Sequence, residues 1–531
     1  MILHLPAGRI PLLNRARAHS RAAGGVLGLL VVWELLALTV FAGRFVLPAP
    51  TAVVASAVRD HFYFSDVIVT LGISWKGWLI GNGAAIVLAA LCLVFPFSES
   101  WLTTLGVATY CVPTIAVGPL LVVAYGSTGA KIAMSALSVF FVTLVAAITG
   151  LRAASPQMLE MVAAFGGGRW SQLTQVRARA SVPTLASGLS ISAPAAILGT
   201  MIGDYLGGAK GLGVVMLQAQ QQLDVSRTWA IAAVSTAVCG LAFAATSVAA
   251  RKVSAGVGPA LDAGITRRRA PLRGLKGFLA AGGRVLGVVL FGLAVWELII
   301  HSSGLGSYFV KSPGEVWHYL FTGPAAGTHR HVLVHELART AQDGGLGWLA
   351  GMVAAALAAM VLVLAPGVAA TVMPLVLVLR SVPLIAMCPL IGLVFGRGLL
   401  GVTLIAAIVT FVPSLVTVLD GLRAVPVAAT DLIECLGGRR WHSLTVVRLP
   451  FALPSLFAAA KISMPGAVLG AVLAEWLITG HGIGYAMSYD VISSDYGNLW
   501  AAIAVVLAVS LALYFVVGAI EGAVRQRVHV G

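Results

Sequence analysis

The sequence predicts an all-α integral membrane protein of about twelve transmembrane helices, arranged as two tandem six-helix repeats. Three observations carry that prediction. First, 59% of the 531 residues are hydrophobic and only 10% are charged, against ~25% charged in a soluble chain. So few charges cannot coat the several globules that the length alone would suggest. Second, twelve segments carry the ~20 apolar residues that a bilayer core of ~30 Å requires. Third, a register of Trp, Pro and Gly positions recurs some way down the chain.

The spans fall near 25–42, 72–95, 103–125, 130–149, 185–205, 229–250, 283–301, 345–365, 371–395, 399–419, 455–478 and 499–520. They are rich in Ala, Val, Leu and Gly and lack the alternation of barrel strands. With a cytoplasmic N-terminus, the basic residues sort to one side. Arg9, Arg15, Arg17 and Arg21 precede span 1, and Arg152, Arg169, Arg177 and Arg179 follow span 4. Eight more, from Arg251 to Arg284, lie between spans 6 and 7. Arg423, Arg439, Arg440 and Arg448 follow span 10, and Arg525 and Arg527 end the chain. This places 22 of 34 Lys and Arg on the cytoplasmic side, the bias that sets orientation. The net charge of +15 then reports sidedness, and no nucleic-acid partner is expected. A basic tail before an apolar run has the outline of a signal peptide. No small-residue cleavage site follows it, so the run is read as span 1. Five scattered cysteines without a CxxC pair suggest neither a zinc site nor a disulfide framework.

The repeat is specific. Val32-Trp33-Glu34-Leu35 returns as Val295-Trp296-Glu297-Leu298, and Pro50 as Pro313. Gly77-Trp78-Leu79 returns as Gly347-Trp348-Leu349. Pro113 and Pro119 return as Pro383 and Pro389. Gly150-Leu151-Arg152-Ala153 returns as Gly421-Leu422-Arg423-Ala424, and Trp229 as Trp500. The chain therefore divides into a basic tail 1–24, a first repeat 25–250, a basic linker 251–282, a second repeat 283–522 and a tail 523–531. Six spans per copy give both copies the same orientation, so an axis along the membrane normal should relate them, with a translocation path on it. The linker reads as a solvated tether held by anionic headgroups.

The loop after each fourth span, 151–184 and 421–454, is the most informative element. The first holds Glu160, Gly166, Arg169, Trp170 and Pro183. The second holds Asp431, Gly437, Arg440, Trp441, Leu449, Pro450 and Pro454. An acid is expected to open each loop helix, a glycine six residues later to break it, and proline to close the amphipathic piece that follows. The product is an exposed cytoplasmic knob. This pattern resembles the EAA loop of permease subunits from ATP-binding cassette importers. The second copy fits from Asp431 through Gly437 to Val447-Arg448-Leu449-Pro450. The first keeps Glu160, Gly166 and Val176 but has Ala178-Arg179 where Leu-Pro is expected, which predicts a looser dock or unequal halves.

Other segments resemble the nitrate/sulfonate/taurine-type permeases. These are Leu47-Pro48-Ala49-Pro50-Thr51, the stretch from Arg380 through Pro383 to Pro389, and Ala474-Glu475-Trp476 with Gly482-Ile483-Gly484. The last has a first-half counterpart in Asp204 and Gly211-Leu212-Gly213. The resemblance implies a fused, binding-protein-dependent permease with type I importer repeats. It implies coupling loops seated in two cytoplasmic ATPase subunits, a solute-binding protein outside, and the plasma (inner) membrane as location. No P-loop is present: Gly203 to Gly208 continues as Ala209-Lys210-Gly211 and fails the pattern. ATP and Mg are thus expected on the partner, with no cofactor on this chain and no enzymatic activity. The solute is expected among small anions or organic solutes such as sulfonates, taurine, nitrate or pyrimidine precursors.

Ionisable residues within spans mark transport function or structural pairs. Lys76, Arg380 and Lys461 qualify, with Arg380 the one placed in the path. Asp204 and Glu475, at the outer ends of spans 5 and 11, are candidates for gating, anion repulsion, contact with a binding protein or a structural role. Pro113, Pro119, Pro383 and Pro389 are expected to break the third span of each half twice, where the freed backbone lines a cavity. His329, His331, His335 and Glu336 lack the HExxH spacing, because position 339 is Arg, and read as an outer amphipathic segment. The competing reading is an ion-coupled secondary transporter built from the same two parallel repeats.

Overall fold

The computed structural model describes residues 28, 30–41, 47–94, 99–255, 287, 289–298, 300–301, 304, 306–369, 372–373, 376 and 382–528. The tail 1–24, nearly all of the linker 251–282 and Arg380 lie outside the described residues. Every regular element among the described residues is helical, and eight helices are long and apolar enough to cross a membrane. This is a multi-pass membrane protein.

In the first half, α1 (Phe64–Val94) leads to α2 (Glu99–Cys111) and α3 (Thr114–Arg152). The short α4 (Pro156–Ala164) begins the loop, and α5 (Ala178–Gly207), α6 (Leu212–Gln221) and α7 (Val225–Ala255) follow. The second half runs through α8 (Ala326–Leu364), α9 (Leu384–Phe395), α10 (Leu399–Arg423) and α11 (Val427–Cys435). It ends with α12 (Leu449–Ile478), α13 (Ile483–Ser493) and α14 (Tyr496–Val528).

The sequence register is a structural register. Trp33 packs on Trp229 with centroids 5.3 Å apart, and Trp296 on Trp500 at 5.4 Å. Trp78 Nε1 donates to Ser192 Oγ at 3.0 Å, and Trp348 Nε1 to Ser463 Oγ at 3.1 Å. Lipid offers no hydrophobic drive between helices, so close approach of small residues supplies the packing. Gly347 and Gly351 let α8 meet α10 backbone to backbone. A Cβ on Gly351 would lie 2.6 Å from the Ala407 carbonyl oxygen, and one on Gly347 would lie 2.7 Å from that of Thr403.

The third spans differ from the sequence expectation. The first is broken once, at Val112-Pro113, where Pro113 caps α3 in extended geometry (φ −70°, ψ 92°). Pro383 caps α9 in the same way (φ −69°, ψ 109°). Pro119 and Pro389 stay inside helix, so among the described residues each span breaks at its first proline and not at its second. The segment after each break packs on the other half. Ala116 and Leu120 are buried with Val468, Val472, Ile483 and Met487, while Ile385 is buried with Ile197, Met201 and Leu212. The expected spans 25–42, 283–301 and 371–395 fall partly outside the described residues, which show helix at 30–38, 289–298 and 384–395.

Replacing Gly351 by leucine should therefore destabilise the chain by roughly 1–3 kcal/mol or more through overpacking. Gly345 faces open space on the same helix, so Gly345→Leu should leave the thermal midpoint in detergent close to wild type.

Candidate functional site

Two loops and two joints form the candidate machinery. Each loop is built alike. α4 ends at Gly166 (φ +80°), and α11 ends at Gly437 (φ +78°). Gly166 N and Gly167 N return to Ala163 O and Val162 O, both at 2.9 Å. Gly437 N and Gly438 N return to Glu434 O at 3.0 Å and Ile433 O at 2.8 Å. These bonds close the last helical carbonyls, and the left-handed residue favours glycine because a Cβ there meets the following carbonyl. A Cβ on either Gly166 or Gly437 would meet no other atom within 4 Å, so the requirement is backbone conformation, not space.

The acids do not open these helices. Glu160 and Asp431 sit in mid-helix, since α4 starts at Pro156 and α11 at Val427. Proline does not close the following piece either. Residues 169–207 run as one helical rod through a π turn at Leu173–Arg177, with Pro183 inside α5. The second copy does the same through Ser443–Arg448, with Leu449 and Pro450 at the start of α12 and Pro454 within it. The first loop reaches this geometry despite its Ala178-Arg179 departure.

Each knob carries an exposed apolar crest. Phe165 is 85% exposed and Leu436 76%, flanked by Met161 and Trp170 in one loop and Leu432 and Trp441 in the other. Glu160, Arg169, Asp431 and Arg440 are exposed beside them. Arg440 Nη1 donates to Leu364 O at 3.4 Å. Two residues that the sequence reading counted only as basic loop residues brace the knobs. Arg177 Nη1 donates to Leu151 O at 3.3 Å, and Arg448 Nη1 donates to Leu422 O at 3.0 Å. A cation at a helix C-terminus satisfies orphan carbonyls and meets the negative end of the dipole. The pair recurs at the repeat offset, which was the signal available.

At the opposite ends of α5 and α12 lie Asp204 and Glu475, 1% and 0% exposed. They are not surface acids. Each captures the N-terminus of the helix that follows. Gly213 N donates to Asp204 Oδ2 at 3.3 Å, and Gly484 N to Glu475 Oε2 at 2.9 Å. Leu212 N donates to Thr70 Oγ1, and Ile483 N to Thr340 Oγ1, each at 2.9 Å. Gly211 N reaches Asp66 at 3.1 Å, and Gly482 N reaches Glu336 at 2.7 Å. Three amides of each short helix are thus held by two acids and a threonine from two other helices. Gly211 (φ +132°) and Gly482 (φ +89°) press on the carboxyl groups of Asp204 and Glu475, so neither position admits a side chain.

The first joint adds an ion pair. Lys131 Nζ lies 2.6 Å from Asp204 Oδ1, with both side chains buried, and donates to Lys210 O at 3.1 Å. Sequence reasoning passed over Lys131, a single charge in the long apolar run of α3. Lys76 is exposed on α1, and Lys461 Nζ stands 4.6 Å from the Tyr514 ring centre. His329 stacks on Tyr319, and His335 pairs with Glu336. Pro113 and Pro383 are buried, and Pro119 and Pro389 half-buried.

A family model described as "Binding-protein-dependent transport system inner membrane component" matches residues 81–255 and again 347–530. The chain belongs to that family. Each match contains one copy of the loop and of the acid that ends the rod, Asp204 or Glu475. Three relatives each align with less than half of this chain but with most of themselves. A protein of Haemophilus influenzae named "Probable ABC transporter permease protein" is 28% identical over 44% of this chain and 91% of its own length. The formylaminopyrimidine transport permease protein of Halalkalibacterium halodurans is 27% identical over 37% and 79%. The taurine transport system permease protein of Escherichia coli is 26% identical over 38% and 73%. The chain is thus a two-copy permease in a single polypeptide.

Removing the buried lysine strands its partner. Lys131→Met should cost about 3–5 kcal/mol, the penalty for an uncompensated buried charge. The double variant Lys131→Met, Asp204→Asn should recover much of that loss in denaturant unfolding.

Proposed function

We propose that the chain supplies both halves of the translocation path of an ATP-driven importer in the plasma (inner) membrane, with both termini cytoplasmic. The observation that carries this reading is the pair of like-built knobs, each with an exposed aromatic or aliphatic crest on a braced stem. Exposed apolar patches rimmed by charge mark protein interaction sites. Glu160, Gly166, Arg169, Trp170 and Pro183 serve one dock, and Asp431, Gly437, Arg440, Trp441, Leu449, Pro450 and Pro454 serve the other. Two cytoplasmic ATPase subunits seat the knobs and hold ATP and Mg, while this chain binds no cofactor and catalyses no reaction. A solute-binding protein delivers solute to the outer mouth.

The path runs between the halves, where Pro113, Pro119, Pro383 and Pro389 shape the exchanged helix segments, with Arg380 as its charged residue. Closure of the ATPases moves the knobs, and the rods 169–207 and 440–478 carry that motion to the outer joints around Asp204 and Glu475. The solute belongs to the small anions or organic solutes of the sulfonate, taurine, nitrate or pyrimidine-precursor class, in keeping with what the relatives' names say they carry. A secondary transporter needs no docking knobs, and family membership does not favour that reading.

Gly437→Val imposes a left-handed conformation on a β-branched residue, a cost of roughly 1–2 kcal/mol in the loop alone. Membrane insertion and expression should stay at wild-type level while ATP-driven uptake in vesicles falls to background. Normal uptake would remove the docking role. Cys435 is the one exposed cysteine among the five, on α11 beside the crest. A thiol probe should label it selectively, and the co-purified ATPase should protect it.

A further inference from the structure

Each half carries a short helix at its outer side, opposite the knobs. In the first half it is Pro50–Arg59. In the second, Pro313–Trp317 runs on through a π turn at His318–Thr322. The two match at the offset that relates Pro50 to Pro313. Val53 and Ala57 are buried in one cluster with Ile231 of α7. Their counterparts Val316 and Leu320 are buried in another with Leu499, Ala502 and Ile503 of α14. Those residues of α7 and α14 lie in the first turns of apolar runs that cross the membrane. The same clusters hold the ring pairs of Trp33 with Trp229 and of Trp296 with Trp500. Tryptophan collects at the boundary of membrane and water, so the short helices lie at that boundary and not beyond it.

Beside the buried pair, each helix exposes two apolar residues at i, i+4. These are Val54 and Val58 in one copy and Trp317 and Phe321 in the other, all 49–60% exposed. The Trp317 and Phe321 rings lie 4.3 Å apart. Glu315, His318 and Thr322 take the other exposed side. The end of the second helix is closed from within the protein. His318 O accepts from Gly323 N at 2.7 Å, His329 Nδ1 lies 3.2 Å from Tyr319 O, and Arg330 Nη1 donates to Leu320 O at 2.8 Å. A helix end bathed in water needs no such partners, whereas one against lipid does. Just after the first helix, Phe64, Ile68, Leu71 and Trp75 continue the apolar surface as an exposed stripe along α1.

We propose that both short helices are interfacial anchors. Val54 and Val58, and Trp317 and Phe321, insert into the leaflet opposite the knobs, where headgroups meet acyl chains. An amphipathic helix lying in the interface buries its apolar side in that way. Apolar patches also serve as protein docks, but the depth of these pairs, beside the membrane-crossing turns of α7 and α14, is that of lipid. The second anchor leads through Gly323 into α8, which brings Glu336 and Thr340 to the joint. It therefore fixes the depth of that joint in the bilayer. The proposal does not depend on the solute or on ATPase docking.

Spin labelling of the full chain in lipid nanodiscs tests it. Cys435→Ser removes the exposed thiol, and Val54→Cys, Val58→Cys, Trp317→Cys and Phe321→Cys each place one label. Leu349→Cys, on the exposed side of α8, and Phe165→Cys, on the first knob, supply the lipid and water references. Collisions with oxygen, which concentrates in the bilayer, should exceed those with a water-soluble nickel chelate at all four positions, as at 349. His318→Cys, on the polar side, should show the reverse, as at 165. Nickel preference at either pair, the reading for a surface that receives a soluble protein, overturns the proposal. So does oxygen preference at 318, which would sink the whole helix in lipid. Should these variants fail to fold, lipids brominated in their acyl chains decide. They should quench the part of the emission that Trp317→Phe removes, and an unquenched part overturns the proposal.

Discussion

A helix interrupted in apolar surroundings leaves carbonyl acceptors where it stops and amide donors where the next begins, at several kcal/mol for each unmet group. The breaks described here are arranged around that constraint. At the loop end, glycine in the left-handed region folds the amides of residues 166–167 and 437–438 back onto the helix just finished. At the joint end no such local return exists, so the amides of residues 211–213 and 482–484 are taken by acids and threonines from α1 and α5, or from α8 and α12. The first solution is self-contained and leaves an exposed knob. The second ties three helices together and can come apart only if all of them move.

Between these ends, small residues bring neighbouring helices into backbone contact. Gly347 and Gly351 set how near α8 comes to α10, and packing of that kind is stiff because neither surface has a side chain to rearrange. The break at Pro113 and that at Pro383 send the following segments into the opposite half. The halves are therefore not two bodies in simple apposition, and neither can shift without carrying a piece of the other.

Much of this was legible in the sequence, because membrane helices announce themselves by length and because the repeat doubles every signal. Gly166 and Gly437 were readable as helix ends because a left-handed residue there favours glycine, and the two occur at matching places. The helix starts at Pro156 and Val427 were misplaced, since a mid-helix acid resembles an opening one when only charge is considered. The roles of Pro119 and Pro389 were overread: a proline inside a membrane helix is tolerated where neighbours re-satisfy the freed carbonyl. Lys131 was missed because its meaning lies in Asp204, 73 residues away along the chain, and its copy in the repeat is a valine. Asp66, Thr70, Glu336 and Thr340 recur in register, but only the folded chain shows them meeting the amides of the other end.

The exposed tips and buried joints respond differently to having been joined in one polypeptide. Two identical subunits must repeat every side chain, so a lysine at one outer joint would be a lysine at both. A fused chain is free of that rule. Here the freedom has been used where the protein is sealed from view, at Lys131 and Val402, and not in the backbone of the exposed knobs, at Gly166 and Gly437. The chain is thus a false dimer: alike at its exposed tips, and unlike at its buried joints.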